Sequence, residues 1–180
     1  LIKVMYMHYF FVIMILGDRM KIIEYEDQYL EDVRNLLTEL EEYIVSIDKD
    51  ELDQVHPEYH EKMALIDLNE VNKNNGKCYL AIEEDEVIGL IMGTIPQYGE
   101  FDYLDYKCPK RGEITELIVT SKIRSKGVGN ALISKIEEYF KSAGCEYILV
   151  DVFAYNKNAI NFYGKNGYHH RMYTNIKRIG

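Results

Sequence analysis

The sequence predicts a layered α/β fold, a mixed β-sheet flanked by helices in the order β-α-α-β-β-β-α-β-α-β, and three observations carry that expectation. Apolar residues recur at helical spacing in some stretches and at strand spacing in others, and the two kinds interleave from one end to the other. Two strand-like stretches, 77–83 and 87–95, are separated only by the turn residues 84–86, which reads as a hairpin. A chain of 180 residues, 47% of them hydrophobic, can bury one substantial core, so a single domain over residues 20–180 is expected.

Taken in order, residues 21–25 read as a first strand. Residues 26–45 place Tyr29, Val33, Leu36, Leu37, Leu40, Tyr43 and Ile44 on one helical stripe, and both Tyr29 and Tyr43 are read as core. After an acidic, irregular stretch, Pro57 suits a first helical position ahead of Met63, Ala64, Ile66, Leu68 and Val71. The hairpin follows, and then a long loop, 96–112, bounded by Pro96, Pro109 and Gly112. Residues 113–120 read as a strand, 127–143 as a helix closed by Gly144, and 147–153 as a strand. A short helix over 156–166, capped by Gly167, precedes one or two final strands within 168–179. Ahead of the domain, residues 1–19 form an extension whose apolar run, 4–16, is too short to span a bilayer comfortably and has no small-x-small cleavage signal after it. If ordered, its apolar surface must be covered by the domain or by a neighbouring chain.

A formal charge of −9 disfavours a nucleic-acid partner, because phosphate-backbone affinity comes from clustered Lys and Arg, and it suits cationic partners such as amines. Cys78, Cys108 and Cys145 are odd in number and far apart, which implies neither a disulfide framework nor a thiolate metal site and fits a reducing, cytoplasmic setting without a membrane anchor. His56 and His60 share a helical spacing, but no third metal ligand stands out. His169 and His170 fall on opposite faces of an expected strand, and Cys145 is read as core.

The informative segment is ITELIVTSKIRSKGVGNALI, in which a strand leads through R-x-x-G-x-G, at Arg124, Gly127 and Gly129, into a helix. Glycines let backbone N–H groups approach an anion closely, and the first turn of a helix presents unpaired N–H groups with partial positive charge. Arg124 and Lys126 add charge of the same sign. The spacing matches neither the nucleotide P-loop nor the three-glycine dinucleotide fingerprint.

Together with LVDVFAYNKNA and NAINFYGKNGY, this segment resembles the cofactor-binding half of the GNAT superfamily of N-acetyltransferases, strongly over residues 112–168. The resemblance implies a GNAT-like sheet and acetyl-CoA as co-substrate, with coenzyme A's pyrophosphate held by Arg124, Ser125, Lys126, Gly127, Val128, Gly129 and Asn130. It further implies that Leu117, Ile118 and Val119 run beside the pantetheine arm like an added strand, with Asn156 and Asn158 on the cofactor's other side and the strands at 113–120 and 147–153 parallel and splayed. Tyr163 matches the position of the acid that protonates the departing thiolate.

Direct acetyl transfer needs a neutral amine, a polarised carbonyl and a proton for the thiolate. A Lys-like amine, pKa about 10.4, is neutral roughly once in two thousand at pH 7, a handicap of about 4–5 kcal/mol that a nearby carboxylate relieves. Glu116 is the first candidate base, with Glu113 and Asp151 as rivals; strand alternation separates Glu113 from Glu116 unless a bulge intervenes. The backbone N–H of Ile118 or Val119 is the candidate carbonyl donor. Tyr98, Tyr103 and Tyr106, alternating with Glu100, Asp102 and Asp105, suggest that the long loop, with the first two helices, selects a cationic acceptor. Two other readings stay open: a non-catalytic acyl-CoA-binding sensor, and a protein-interaction module that docks through residues 1–19. A homodimer is also compatible with the expected edge strands.

Overall fold

The computed structural model describes residues 20–123 and 127–179, so the extension 1–19 lies outside the described residues. The chain runs β1 (Met20–Glu24), α1 (Leu30–Ile47), α2 (Tyr59–Lys73), β2 (Lys77–Glu83), β3 (Glu86–Thr94), β4 (Arg111–Val119), α3 (Val128–Ser142), β5 (Tyr147–Val150) and α4 (Lys157–Lys165). The strands form one sheet in sequence order, antiparallel from β1 to β4 and parallel between β4 and β5, giving the mixed α/β sheet that the sequence predicts.

Period-two alternation divides the hairpin between two cores. Cys78, Leu80, Leu90 and Met92 meet Val33, Leu36 and Leu37 of α1 and Ala64, Leu68 and Val71 of α2. Tyr79, Ala81 and Ile91 meet Leu132, Ile133, Ile136 and Phe140 of α3 on the opposite face. Phe140 is wholly buried, and a Cβ added to Gly93 or Gly112 would stand 2.6 Å from its ring. Those two glycines therefore let α3 lie close to the sheet, and truncating Phe140 would cost about 3–5 kcal/mol.

The pairing of β3 with β4 contains a β-bulge that shapes the site. Met92 faces Glu116 while Gly93 faces Ile114, leaving Thr115 as the extra residue. A bulge resets strand alternation. Ile114, Leu117 and Val119 consequently all pack toward α3, whereas Ile118 joins the α1 and α2 core. Glu113 and Glu116, which simple alternation separates, fall on the same side.

Several boundaries differ from expectation. A 3-10 turn, Asp27–Tyr29, precedes α1, and α2 starts two residues after Pro57. The expected strand at 147–153 ends at Val150. No strand forms within 168–179: residues 169–179 are exposed and make no hydrogen bond to another described residue, and no described strand pairs with them. No helix among the described residues is long and apolar enough to cross a membrane.

Candidate active site

β4 and β5 are paired only where Arg111, Gly112, Glu113 and Ile114 face Tyr147, Ile148, Leu149 and Val150. Beyond Ile114 that ladder stops, and β4 continues with an open edge. Thr120 N–H donates to Ile88 O at 3.0 Å, and alternation along an antiparallel ladder then directs the N–H groups of Leu117 and Val119 away from β3 into the gap. Ile118 is paired toward β3, so of the two candidate carbonyl donors only Val119 offers an N–H to the gap.

A cavity of about 690 Å³ occupies the gap. It brings together the expected Leu117, Ile118, Val119, Gly127, Val128, Gly129, Asn130, Asn156, Asn158 and Tyr163. Arg124, Ser125 and Lys126 lie outside the described residues. Gly127 has φ +84°, a left-handed conformation that favours glycine, and a Cβ there would meet nothing within 4 Å. Glycine is therefore required by the backbone turn rather than by crowding. Ala131 N–H donates to Gly127 O at 3.1 Å, which leaves the earlier N–H groups, of Val128, Gly129 and Asn130, without intrahelical acceptors. Free N–H groups at the start of a helix have the geometry and partial charge that suit an anion.

The surrounding elements hold that turn in place. Glu39 on α1 accepts hydrogen bonds from Thr120 Oγ1 at 3.0 Å and Ser121 N–H at 2.7 Å, fixing the start of the connection from β4 to α3. Asn166 Nδ2 donates to Asn130 Oδ1 at 3.2 Å, tying the end of α4 to the first turn of α3. A Cβ on Gly129 would stand 3.2 Å from the Phe162 ring, so this glycine permits the close approach of α4. Lys165 also lines the cavity and supplies a cation that the sequence reading missed, since its placement depends on how α4 docks.

Asn156 caps α4, its Oδ1 accepting from Ala159 N–H at 3.0 Å. The same oxygen accepts from Tyr43 Oη at 3.4 Å, and Asn158 Nδ2 donates to Tyr43 Oη at 3.4 Å. Tyr43 is therefore a wall of the cleft and not the core residue its helical spacing suggested. Its aromatic ring fits the apolar stripe, while its hydroxyl crosses to α4. Tyr29 packs against the α1 and α2 core as expected.

On the α1 and α2 side, Glu116 is half-buried and pushed up to about 8, first by burial and then by the charges of Asp67 and Glu41. Burial pushes Asp67 up to about 6, and its Oδ2 is buried without a hydrogen-bond partner. Glu41 is also raised, by burial and then by Asp53. Burial, followed by Glu116, raises the pKa of the Tyr163 hydroxyl, so it keeps its proton at neutral pH. Tyr163 is only 8% exposed, packed edge-on against Phe162 and Tyr168. Tyr59 on α2 is raised by burial and by Glu41, Glu116 and Asp67. The space between β4 and the two helices thus holds three carboxylates from three elements.

The other candidates are placed differently. Glu113 accepts from Arg111 Nε at 2.9 Å and is committed to that ion pair. Asp151 is exposed just beyond β5. In the long loop, Tyr98 Oη donates to Pro109 O at 2.9 Å and its ring lies under Arg111, while Asp102 accepts from Gly99 N–H at 2.8 Å. Tyr103, Tyr106, Glu100 and Asp105 are exposed, and no residue of this loop lines the cavity. Cys145 packs at the margin of the α3 core. His56 Nδ1 accepts from Glu58 N–H, His60 contacts Asn35, and His169 and His170 are exposed without the strand expected to separate them.

A mixed sheet opened along one strand, with a glycine-started helix at the foot of the opening, offers main-chain donors along one open edge and at one helix start. The acetyltransferase (GNAT) family model matches residues 31–168, and the chain belongs to that family. An uncharacterized N-acetyltransferase of Methanocaldococcus jannaschii is 33% identical over 96 residues, which is 52% of this chain and 54% of that protein. The chain spans about half the length of the curated relatives it matches. Among solved structures, a mutant protein of Bacillus halodurans has a TM-score of 0.78 at 19% identity, covering 88% of this chain and 99% of its own. The structure of AAC(6')-Iy in complex with a CoA-linked bisubstrate analogue has a TM-score of 0.62 at 16% identity, covering 89% and 99%. At such identities these two likenesses show the fold.

Proposed function

We propose that the chain is an N-acetyltransferase that moves acetyl from acetyl-CoA to a primary amine by direct attack in a ternary complex. The observation that carries this reading is the position of Glu116. It is a half-buried carboxylate with a pKa near 8, on the strand whose Leu117 and Val119 N–H groups face the open gap, and its charge reaches the protonated hydroxyl of Tyr163. General-base efficiency is greatest when the base titrates near the working pH, and Glu116 satisfies that condition.

In the proposed reaction, the first-turn N–H groups of α3 hold the pyrophosphate, and Leu117 and Val119 pair with the pantetheine amides and the thioester carbonyl. Lys165 and Asn158 enclose the cofactor from α4, and Tyr43 does so from α1. Glu116 takes a proton from the acceptor ammonium, directly or through water, and the freed nitrogen attacks the carbonyl carbon. Val119 N–H stabilises the developing oxyanion. As the C–S bond breaks, Tyr163 delivers its proton to sulfur, and the second proton lost by the attacking nitrogen passes through solvent to the tyrosinate and restores it. The CoA-linked bisubstrate analogue bound to AAC(6')-Iy supports a ternary route, because it joins cofactor and acceptor in one molecule.

The test is an amine panel, from polyamines to peptide N-termini, incubated with acetyl-CoA, with acetylated product and free thiol measured together. Stoichiometric product and thiol from at least one amine class is the expected result. Tight acetyl-CoA binding without product from any class would replace catalysis with a sensing role.

A further inference from the structure

We propose that Glu39 is a positioning residue for the cofactor: by accepting two hydrogen bonds from the exit of β4, it sets the turn into α3 and, with it, the N–H groups of Val128, Gly129 and Asn130. This role rests on the reading of the cleft as an acetyl-CoA site. Glu39 stands at the edge of the apolar stripe of α1 and is half-buried. Each of its carboxylate oxygens takes a different donor, Oε1 from Ser121 N–H at 2.7 Å and Oε2 from Thr120 Oγ1 at 3.0 Å. The two donors are adjacent in the chain and sit where the strand gives way to the turn. β4 ends at Val119, and Thr120 N–H still donates to Ile88 O. Ser121–Ile123 is a 3-10 turn in which Ile123 N–H donates to Thr120 O. Ser121 N–H is therefore past the ladder and among the first N–H groups of a helical turn, which have no acceptor within it.

A Ser, Thr, Asp or Asn just before a helical turn usually supplies such an acceptor. Thr120 stands at that place, yet its hydroxyl donates to Glu39, so the acceptor comes from α1, 82 residues earlier in the chain. Hydrogen bonds to an ionised acceptor are stronger than those to a hydroxyl, and two of them pin the strand exit in both position and direction. The charge itself has the wrong sign for recruiting a phosphate, because like charges repel. Geometry, not charge, is what this carboxylate contributes. The same helix makes a second tie. Tyr43, one turn after Glu39 and on the same face, bonds to Asn156 and Asn158, and Leu40 between them lines the cavity. α1 is thus fastened by Glu39 to the exit of β4 and by Tyr43 to the start of α4, and it braces the two sides between which the cofactor must fit.

The experiment measures acetyl-CoA affinity by calorimetry and amide hydrogen exchange on the full chain. Glu39→Ala removes both bonds. Glu39→Gln can keep them without the charge, its amide oxygen accepting from Ser121 N–H and its amide N–H donating to Thr120 Oγ1. Glu39→Ala should raise the acetyl-CoA dissociation constant at least about tenfold, while Glu39→Gln stays within about threefold of the parent. In Glu39→Ala the amides of 127–130 should exchange faster, and those of β2 and β3 should exchange as in the parent. Thr120→Val removes the hydroxyl bond alone and should show a smaller loss in the same direction, which keeps the test open if Glu39→Ala does not fold. Binding by Glu39→Ala as tight as the parent's, or by Glu39→Gln as weak as that of Glu39→Ala, would overturn the role. So would weakened binding accompanied by fast exchange throughout the sheet, since Glu39 would then support the whole fold and not the turn. A parent that takes up no acetyl-CoA would overturn the cofactor reading itself, and this role with it.

Discussion

On the side of β4 that faces α3, Ile114, Leu117 and Val119 join an apolar core, and the cleft beyond them ends in a turn whose donors are backbone N–H groups. On the side that faces α1 and α2, Glu116 shares a half-buried space with Asp67, Glu41 and Tyr59. One strand thus divides a wall made of main chain from a wall made of titratable side chains. The first can recognise amides and phosphates with little regard to pH. The second is sensitive to pH by construction, because burying three carboxylates together raises their affinity for protons. The Thr115 bulge makes this division possible, since it turns Glu116 away from α3 while returning Leu117 to it.

The sharpest way to break the comparison is Glu116→Gln, which keeps the shape of the side chain and removes its base. Turnover should fall about 10²- to 10⁴-fold, the range of general-base catalysis, while the thermal shift produced by acetyl-CoA stays as large as in the parent. Loss of acetyl-CoA binding in this variant would mean that the two walls are not separable. Tyr163→Phe should act on the chemistry with a loss of about 10²-fold, visible as a fall in kcat with the acetyl-CoA dissociation constant unchanged.

The main-chain wall was the more legible of the two. Gly127 and Gly129 mark a strand-to-helix turn in any reading of the sequence, and the structure places both, with Leu117, Ile118 and Val119, around one cavity. Strands and helices were legible wherever a repeat of two or three to four residues survives, as in 77–83. The acidic wall was not legible, because Asp67 and Glu41 lie 49 and 75 residues from Glu116 and meet it only through the docking of α1 and α2. Tyr43 was misread for a related reason: its ring satisfies a helical stripe and its hydroxyl reaches a residue more than a hundred positions away. The final strand was expected from residue types alone, and among the described residues no ladder forms with 169–179 to hold it.

Gly127→Val probes the main-chain wall. A Cβ has open space there, so the cost comes from a left-handed backbone, about 1–2 kcal/mol, measurable by urea unfolding. If the turn aims the first N–H groups of α3 at an anion, acetyl-CoA affinity should fall at least tenfold while the pH dependence of turnover keeps its shape. An unchanged dissociation constant would show that this turn is structural only.

The mildest substitution tests the acidic wall from a distance. Asp67 is the second cause, after burial, of the raised Glu116 pKa, so Asp67→Asn should lower the apparent pKa of the rate profile below about 8 without removing the base. The same change bears on stability. Asp67 and Glu116 are raised from 3.8 and 4.5 to about 6 and about 8, so the folded protein retains protons that the unfolded chain releases earlier. Their contribution is fully present below about pH 4 and is lost as pH rises through those folded values. Denaturant midpoints measured from pH 4 to 9 should therefore decline in the parent and decline less in Asp67→Asn, which keeps one proton-retaining group in a weaker form. A parallel decline in the two proteins, with the rate profile unmoved, would mean that Asp67 and Glu116 do not feel each other's charge, and the acidic wall would reduce to Glu116 alone.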